Sequence, residues 1–196
     1  MAARGGKVVQ GMKKAVTKVV HPPFMKTYIP AGMASPAPPL GPQLGQRGIQ
    51  IAGFCKEFNE RTDNIKKGIP LPTRITVNPD RTFSIVIHNP PVTYFLKQAA
   101  GTQKGVMKTG HETAGKVTLK HVYEIAKIKS QDPTFENVPM ELICQKIIGS
   151  AHSCGIEVVK NLTVEDYSQF IQDRQVILEQ QKEELEELRQ AKMLRL

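Results

Sequence analysis

The chain has 196 residues, 40% hydrophobic and 6% aromatic with no tryptophan, enough to fill one or two modest cores. Its longest apolar stretches run to only a few residues, which excludes a membrane span. Its three cysteines (Cys55, Cys144 and Cys154) form no CxxC pair, which argues against a disulfide framework or a zinc ribbon and for a reducing compartment. Lys and Arg number 27 against 18 Asp and Glu, and this net charge of +9 points to a polyanion partner, nucleic acid before a membrane surface; a merely solvated lysine surface is the alternative.

Residues 1–23 read as a basic arm that closes on His21-Pro22-Pro23. Met12, Val16, Val19 and Val20 make a weak apolar stripe opposite Lys13, Lys14 and Lys18, so the arm reads either as an organelle presequence or as an RNA-binding extension. The first acidic residue of the chain is Glu57. Between Pro30 and Gly48 stand five prolines and four glycines, interleaved with Leu40, Leu44 and Ile49. Proline fixes φ and removes a donor, so a rigid, partly packed loop with one helical turn is expected, fit to present a surface.

Ile51, Phe54, Cys55 and Phe58 recur at helical spacing and predict a helix over 49–62, with Cys55 buried. Ile75 and Val77, then Phe83, Ile85 and Ile87, alternate around Asn78-Pro79-Asp80-Arg81 and predict a β-hairpin over 73–88. Residues 24–88 therefore form a small α/β domain, and His88-Asn89-Pro90-Pro91 breaks the pattern as a domain boundary.

Beyond it the period is helical. Phe95, Leu96, Ala99 and Ala100 mark a helix ending at Gly101, and Leu119, Val122, Tyr123 and Ala126 mark a second with Thr118 as N-cap. Met140, Ile143, Cys144, Ile147, Ala151 and Cys154 line a third that Gly155 can close. Residues 89–162 thus read as a three-helix domain, and the whole as an α+β protein. From Thr163 a capping-box-like start opens a long polar helix, 163–196, with eight acids against five bases. Leu178 and Leu185 continue an interrupted seam from Ile171, and docking on a neighbour fits it better than a coiled coil.

Catalytic chemistry finds little support. Gly110 to Lys116 nearly spells the phosphate-cradling GxxxxGK motif, but Val117 stands where a hydroxyl should bind magnesium, and no apolar strand leads in. No histidine or cysteine spacing suits a metal, so no cofactor is expected and the protein reads as a non-enzyme.

RNA binding is the better reading. Residues 97–129 carry seven lysines against Glu112 and Glu124, and Gly101, Gly105, Gly110 and Gly115 make 101–115 a loop expected to order only on meeting RNA. On the third helix, Gln145, Lys146, Gly149, Ser150, His152 and Ser153 lie opposite the apolar face, where small residues allow close approach to an A-form minor groove. A solvated loop and a helix-packing face are the bland alternatives.

Ser35-Pro-Ala-Pro-Pro-Leu-Gly-Pro-Gln-Leu-Gly-Gln-Arg-Gly48, Phe54-Cys-Lys-Glu-Phe-Asn59, Gly115-Lys-Val-Thr-Leu119 and Ile148-Gly-Ser-Ala-His-Ser-Cys-Gly-Ile156 resemble, in order, the large-subunit ribosomal protein L11 family. Gly68-Ile-Pro-Leu-Pro-Thr73 and Pro79-Asp-Arg-Thr-Phe83 resemble its mitochondrial members more than bacterial or plastid ones. The resemblance implies a structural protein at the ribosomal stalk base, in the mitochondrial matrix. Its partners would be large-subunit rRNA, stalk proteins and neighbouring subunit proteins, with translation GTPases as transient partners and no membrane. It implies an rRNA grip at Lys104, Lys108, Lys116, Thr118, Gly149, Ser150, His152 and Ser153. It also implies a factor- and thiazole-antibiotic-facing surface at Pro36, Pro38, Pro39 and Pro42. His152 departs from the family's usual Arg and Cys154 from an aliphatic residue, which gives up a phosphate contact. A non-ribosomal nucleic-acid-binding module using the three helices is the alternative. Deleting 163–196 is expected to spare rRNA binding and loosen a protein contact.

Overall fold

The computed structural model describes residues 22–78 and 80–193. The apolar stripe expected from Met12 to Val20, with all but the last two residues of the basic arm, lies outside the described residues.

The first half is a three-stranded antiparallel sheet covered by a helix. Strands β1 (Phe24–Pro30), β2 (Pro70–Val77) and β3 (Phe83–Ile87) lie in that order, with Ile29 opposite Leu71, Met25 opposite Ile75, and Ile75 opposite Ile85. Successive strand residues point to opposite faces, so this register gathers Met25, Ile29, Leu71, Ile75 and Ile85 on one side. Helix α2 (Ile51–Arg61) lays Phe54, Cys55 and Phe58 onto that side, and Phe54 meets Phe83 edge-on at 5.5 Å. Burial pushes the Cys55 thiol pKa up, as expected for a cysteine acting as a small apolar residue.

The hairpin and helix stand where the periodicity puts them. Strand β1 was not expected, because Phe24 and Tyr28 (68% exposed) point to solvent and hide its alternation. Between β1 and α2 the proline-rich segment makes one short helix, α1 (Leu40–Gly45), whose Leu40 and Leu44 are buried.

The second half packs α3 (Val92–Ala99), α4 (Leu119–Lys129) and α5 (Met140–Cys154) around Leu96, Val122, Ile125, Ala126, Ile143, Ile147 and Ala151. Gly101 and Gly155 adopt positive φ just past α3 and α5, as read from the sequence. The structure adds a pair not expected: β4 (Gly115–Thr118) runs parallel to β5 (Ile156–Val159), with Val117 and Ile156 buried. Parallel pairing needs a long crossover, and here α4 and α5 supply it. Placing Gly115 and Lys116 in a strand also removes the phosphate-cradle geometry their spelling suggested.

Lys129, counted above among the RNA-facing lysines, is instead buried. Its ammonium pairs with Asp132, and also donates to the Asn89 carbonyl at 3.2 Å. Asp132 in turn accepts the Asn89 N–H at 2.8 Å, so the lysine is consumed in anchoring the start of this half.

Helix α6 (Val164–Met193) begins with Thr163, whose hydroxyl accepts the Asp166 N–H at 3.2 Å. It docks, as its pattern suggested, but onto the chain's own 101–114 loop. No helix among the described residues is long and apolar enough to cross a membrane.

Candidate nucleic-acid interface

The loop between α3 and β4 has no regular structure of its own, yet it is stitched to the end of α5. Val106 N–H donates to the Cys154 carbonyl at 3.2 Å, and Ala114 N–H to the Gly155 carbonyl at 2.7 Å. Glycine makes this approach possible: a Cβ on Gly105 would stand 2.8 Å from the Cys154 carbonyl oxygen, and one on Gly155 only 2.4 Å from the Val106 side chain. At these two positions glycine serves close packing within the protein rather than approach of backbone to phosphate.

The stitching brings two sets of expected residues together. Lys104 and Lys108 stand exposed on the loop; Gly149, His152 and Ser153 are exposed on α5, and Ser150 is half-buried. A Cβ on Gly149 would meet nothing within 4 Å, so this face is open to a flat surface. Ser150 Oγ donates to the Lys146 carbonyl at 2.9 Å, and Ser153 Oγ to the Ser150 carbonyl at 2.8 Å. With their protons held by the helix, both oxygens face outward as acceptors, which suits a ribose 2′-OH better than a phosphate. His111 and His152 border one cleft with Gly110, Glu112, Thr113 and Glu157.

Two expected residues also carry structural duties. Lys116 pairs with Glu157 across the β4–β5 ladder at 3.5 Å and lies 5.2 Å over the Phe170 ring, so its charge is already partly answered. Thr118 caps α4: its N–H donates to His121 Nδ1 at 3.2 Å, and its hydroxyl lies 3.0 Å from the same nitrogen. Glu112 is bonded to α6 and also feels the charge of Lys108. The Gln181 amide holds its carboxyl below the usual carboxylate range against some desolvation, and Arg174 helps.

The proline surface is separate. Pro36, Pro38, Pro39 and Pro42 are all exposed on one segment. Sequence reasoning missed what holds it. Asn59 on α2 accepts the Ala34 N–H at 2.9 Å and donates to the Ala34 carbonyl at 3.2 Å, while Thr62 Oγ1 accepts the Gly32 N–H at 3.0 Å. The available signal was their place: polar residues bordering the Phe54–Phe58 apolar stripe, beside a loop whose backbone needs partners. Among the described residues no group of His, Cys, Asp and Glu could hold a metal ion.

Two family models match in succession. That for "Ribosomal protein L11, N-terminal domain" covers residues 25–83, and that for "Ribosomal protein L11, RNA binding domain" covers 88–158. The chain belongs to the ribosomal protein L11 family. It is 52% identical to the large ribosomal subunit protein uL11m of Drosophila melanogaster and 48% identical to that of Caenorhabditis elegans, each over 100% of this chain and 99% of the relative. The uL11 protein of Rickettsia typhi is 49% identical over 70% of this chain and 94% of its own length. Membership makes this a structural protein and not an enzyme. The RNA-binding match contains the stitched loop, β4, α5 and β5, whereas α6 lies beyond both family models.

Proposed function

We propose that the protein sits at the stalk base of the large ribosomal subunit, gripping rRNA with its second half and offering its proline surface to translation factors. The coarse part rests on the family: the chain is a structural constituent of the large ribosomal subunit that binds rRNA. The uL11m names of the fly, worm and fission-yeast relatives support the mitochondrial ribosome as its location. Those ribosomal names leave a free nucleic-acid module without support.

The finer reading assigns the grip to Lys104, Lys108, Gly149, Ser150, His152 and Ser153, with Lys116 and Thr118 setting the loop's exit. One observation carries it: the RNA-binding match contains a lysine-bearing loop hydrogen-bonded to the C-terminal end of a helix whose outer face is open at Gly149. Lysine supplies sequence-independent phosphate charge, and the helix face supplies shape. Pro36, Pro38, Pro39 and Pro42 face the GTPases and thiazole antibiotics, stiff by chemistry and held by Asn59. Stalk proteins and neighbouring subunit proteins border the site.

The two roles fall to two units, 24–88 and 89–162, with 1–23 and 163–196 as additions. The boundary is supported by the hydrogen bonds on either side of it: His88 N–H donates to the Pro72 carbonyl of β2, while Asn89 is held by Asp132 and Ile128 of the second unit.

Substituting Gly149→Leu tests the grip. It should weaken binding to the stalk-base rRNA junction by roughly tenfold or more while leaving the salt dependence unchanged, because shape and not charge is lost. Normal binding by that variant would remove α5 from the interface.

A further inference from the structure

We propose that α6 is an intramolecular clamp that holds the 101–114 loop in its RNA-binding shape. This rests on the reading of that loop as an rRNA contact.

The clamp is built from one face of the helix. Tyr167, Phe170, Arg174, Leu178, Gln181 and Leu185 follow one another at steps of three and four, and all line the groove between α6 and the loop. Tyr167 Oη donates to the Ala100 carbonyl at 3.3 Å, where the loop begins. Phe170 underlies Lys116, where it ends. Between these points Gln181 Nε2 donates to Glu112 at 2.9 Å, and the Arg174 guanidinium approaches the same oxygen at 3.4 Å. Met107 of the loop shares the groove with Leu178 and Leu185. A glycine-rich loop has little order of its own, and these contacts fix its start, middle and end.

Charge decides between clamp and competitor. A helix that imitated RNA would turn carboxylates towards the lysines. Helix α6 does the reverse: none of its acidic residues lines the groove, and the groove face meets Glu112 with a guanidinium and an amide. The loop's only carboxylate is thereby engaged by α6, and its bonds tie the middle of the loop to the helix. Among the described residues α6 contributes none to the buried core. It also lies beyond the family models, which end at residue 158, although the fly and worm relatives align across the whole chain.

The test compares the full chain with a version ending at residue 162, and with the charge-neutral double variant Tyr167→Phe/Gln181→Ala. Hydrogen exchange in the free protein reads the clamp, and affinity for the stalk-base rRNA junction reads its use. Backbone amides of 103–113 should exchange roughly tenfold faster or more without α6, with those of α4 and α5 unchanged. RNA affinity should fall by roughly ten- to a hundredfold, the cost of ordering a loop on binding, which reverses the expectation from the sequence that removing 163–196 spares rRNA binding. Simple electrostatics predicts the opposite, because the deleted segment is net acidic. The double variant should show a smaller loss with an unaltered salt slope. Unchanged exchange would overturn the clamp, and tighter RNA binding on truncation would mean that α6 covers the site. Faster exchange with undiminished affinity would instead overturn the loop's assignment to RNA and leave the clamp standing.

Discussion

Two irregular segments carry the two proposed surfaces, and they reach order by opposite means. The proline-rich segment before α2 is stiff in its covalent chemistry and needs only a few pins: the Asn59 pair to Ala34, Thr62 to Gly32, and buried Leu40 and Leu44. The glycine-rich loop before β4 has no such stiffness and borrows order from α5 and α6. A proline surface can thus be offered to passing factors without losing shape, while a glycine loop can seat itself against one fixed partner.

The largest expected effect breaks the first segment. A Cβ on Gly41 would lie 2.0 Å from the Pro36 carbonyl oxygen, so Gly41→Ala must push backbone aside. It should cost about 2–3 kcal/mol of the first unit's stability in urea unfolding and leave RNA affinity untouched. An unaltered unfolding midpoint would show that the segment is looser than its contacts imply. Next comes Asn59→Ala, which strands both backbone groups of Ala34 and should cost about 1–2 kcal/mol, with amide shifts confined to 31–48.

In the second segment, Lys104→Ala and Lys108→Ala should leave stability unchanged and each lower the salt slope of RNA binding by up to about one. Lys116→Ala should lower it less, since Glu157 already answers that charge. Equal slopes for all three would mean that the Lys116–Glu157 pair opens on binding.

The smallest effect concerns pH. The Glu112 carboxyl is held below its ordinary range, so its bonds to Gln181 and Arg174 are intact at neutral pH and are lost as pH falls through that lowered value. Exchange of the 103–113 amides, corrected for intrinsic rates, should rise on acidification, and a Glu112→Gln variant should not share that rise.

How far the sequence could be read follows from which signals are local. The helices were legible because Phe54–Phe58, Val122–Ala126 and Ile143–Ile147 repeat at helical spacing, and Thr118, Gly101 and Gly155 mark ends by their own chemistry. The β4–β5 pair was not, because it joins two four-residue strands some forty positions apart and leaves no pattern in either. The fate of charges was hidden for the same reason. Lys129 looks like any other lysine until Asp132 and Asn89 fold beside it, and Glu112 until α6 arrives. The expected grip residues come from the family resemblance; that Lys116 and Thr118 also serve the scaffold leaves no mark in the spelling.

The most direct test measures binding of the full chain to the large-subunit stalk-base rRNA junction and to a scrambled RNA of equal length, at two salt concentrations. Shape readout by α5 together with the clamped loop predicts selective binding that persists at the higher salt. Equal binding to both RNAs, erased by salt, would reduce the interface to a basic surface and contradict the account.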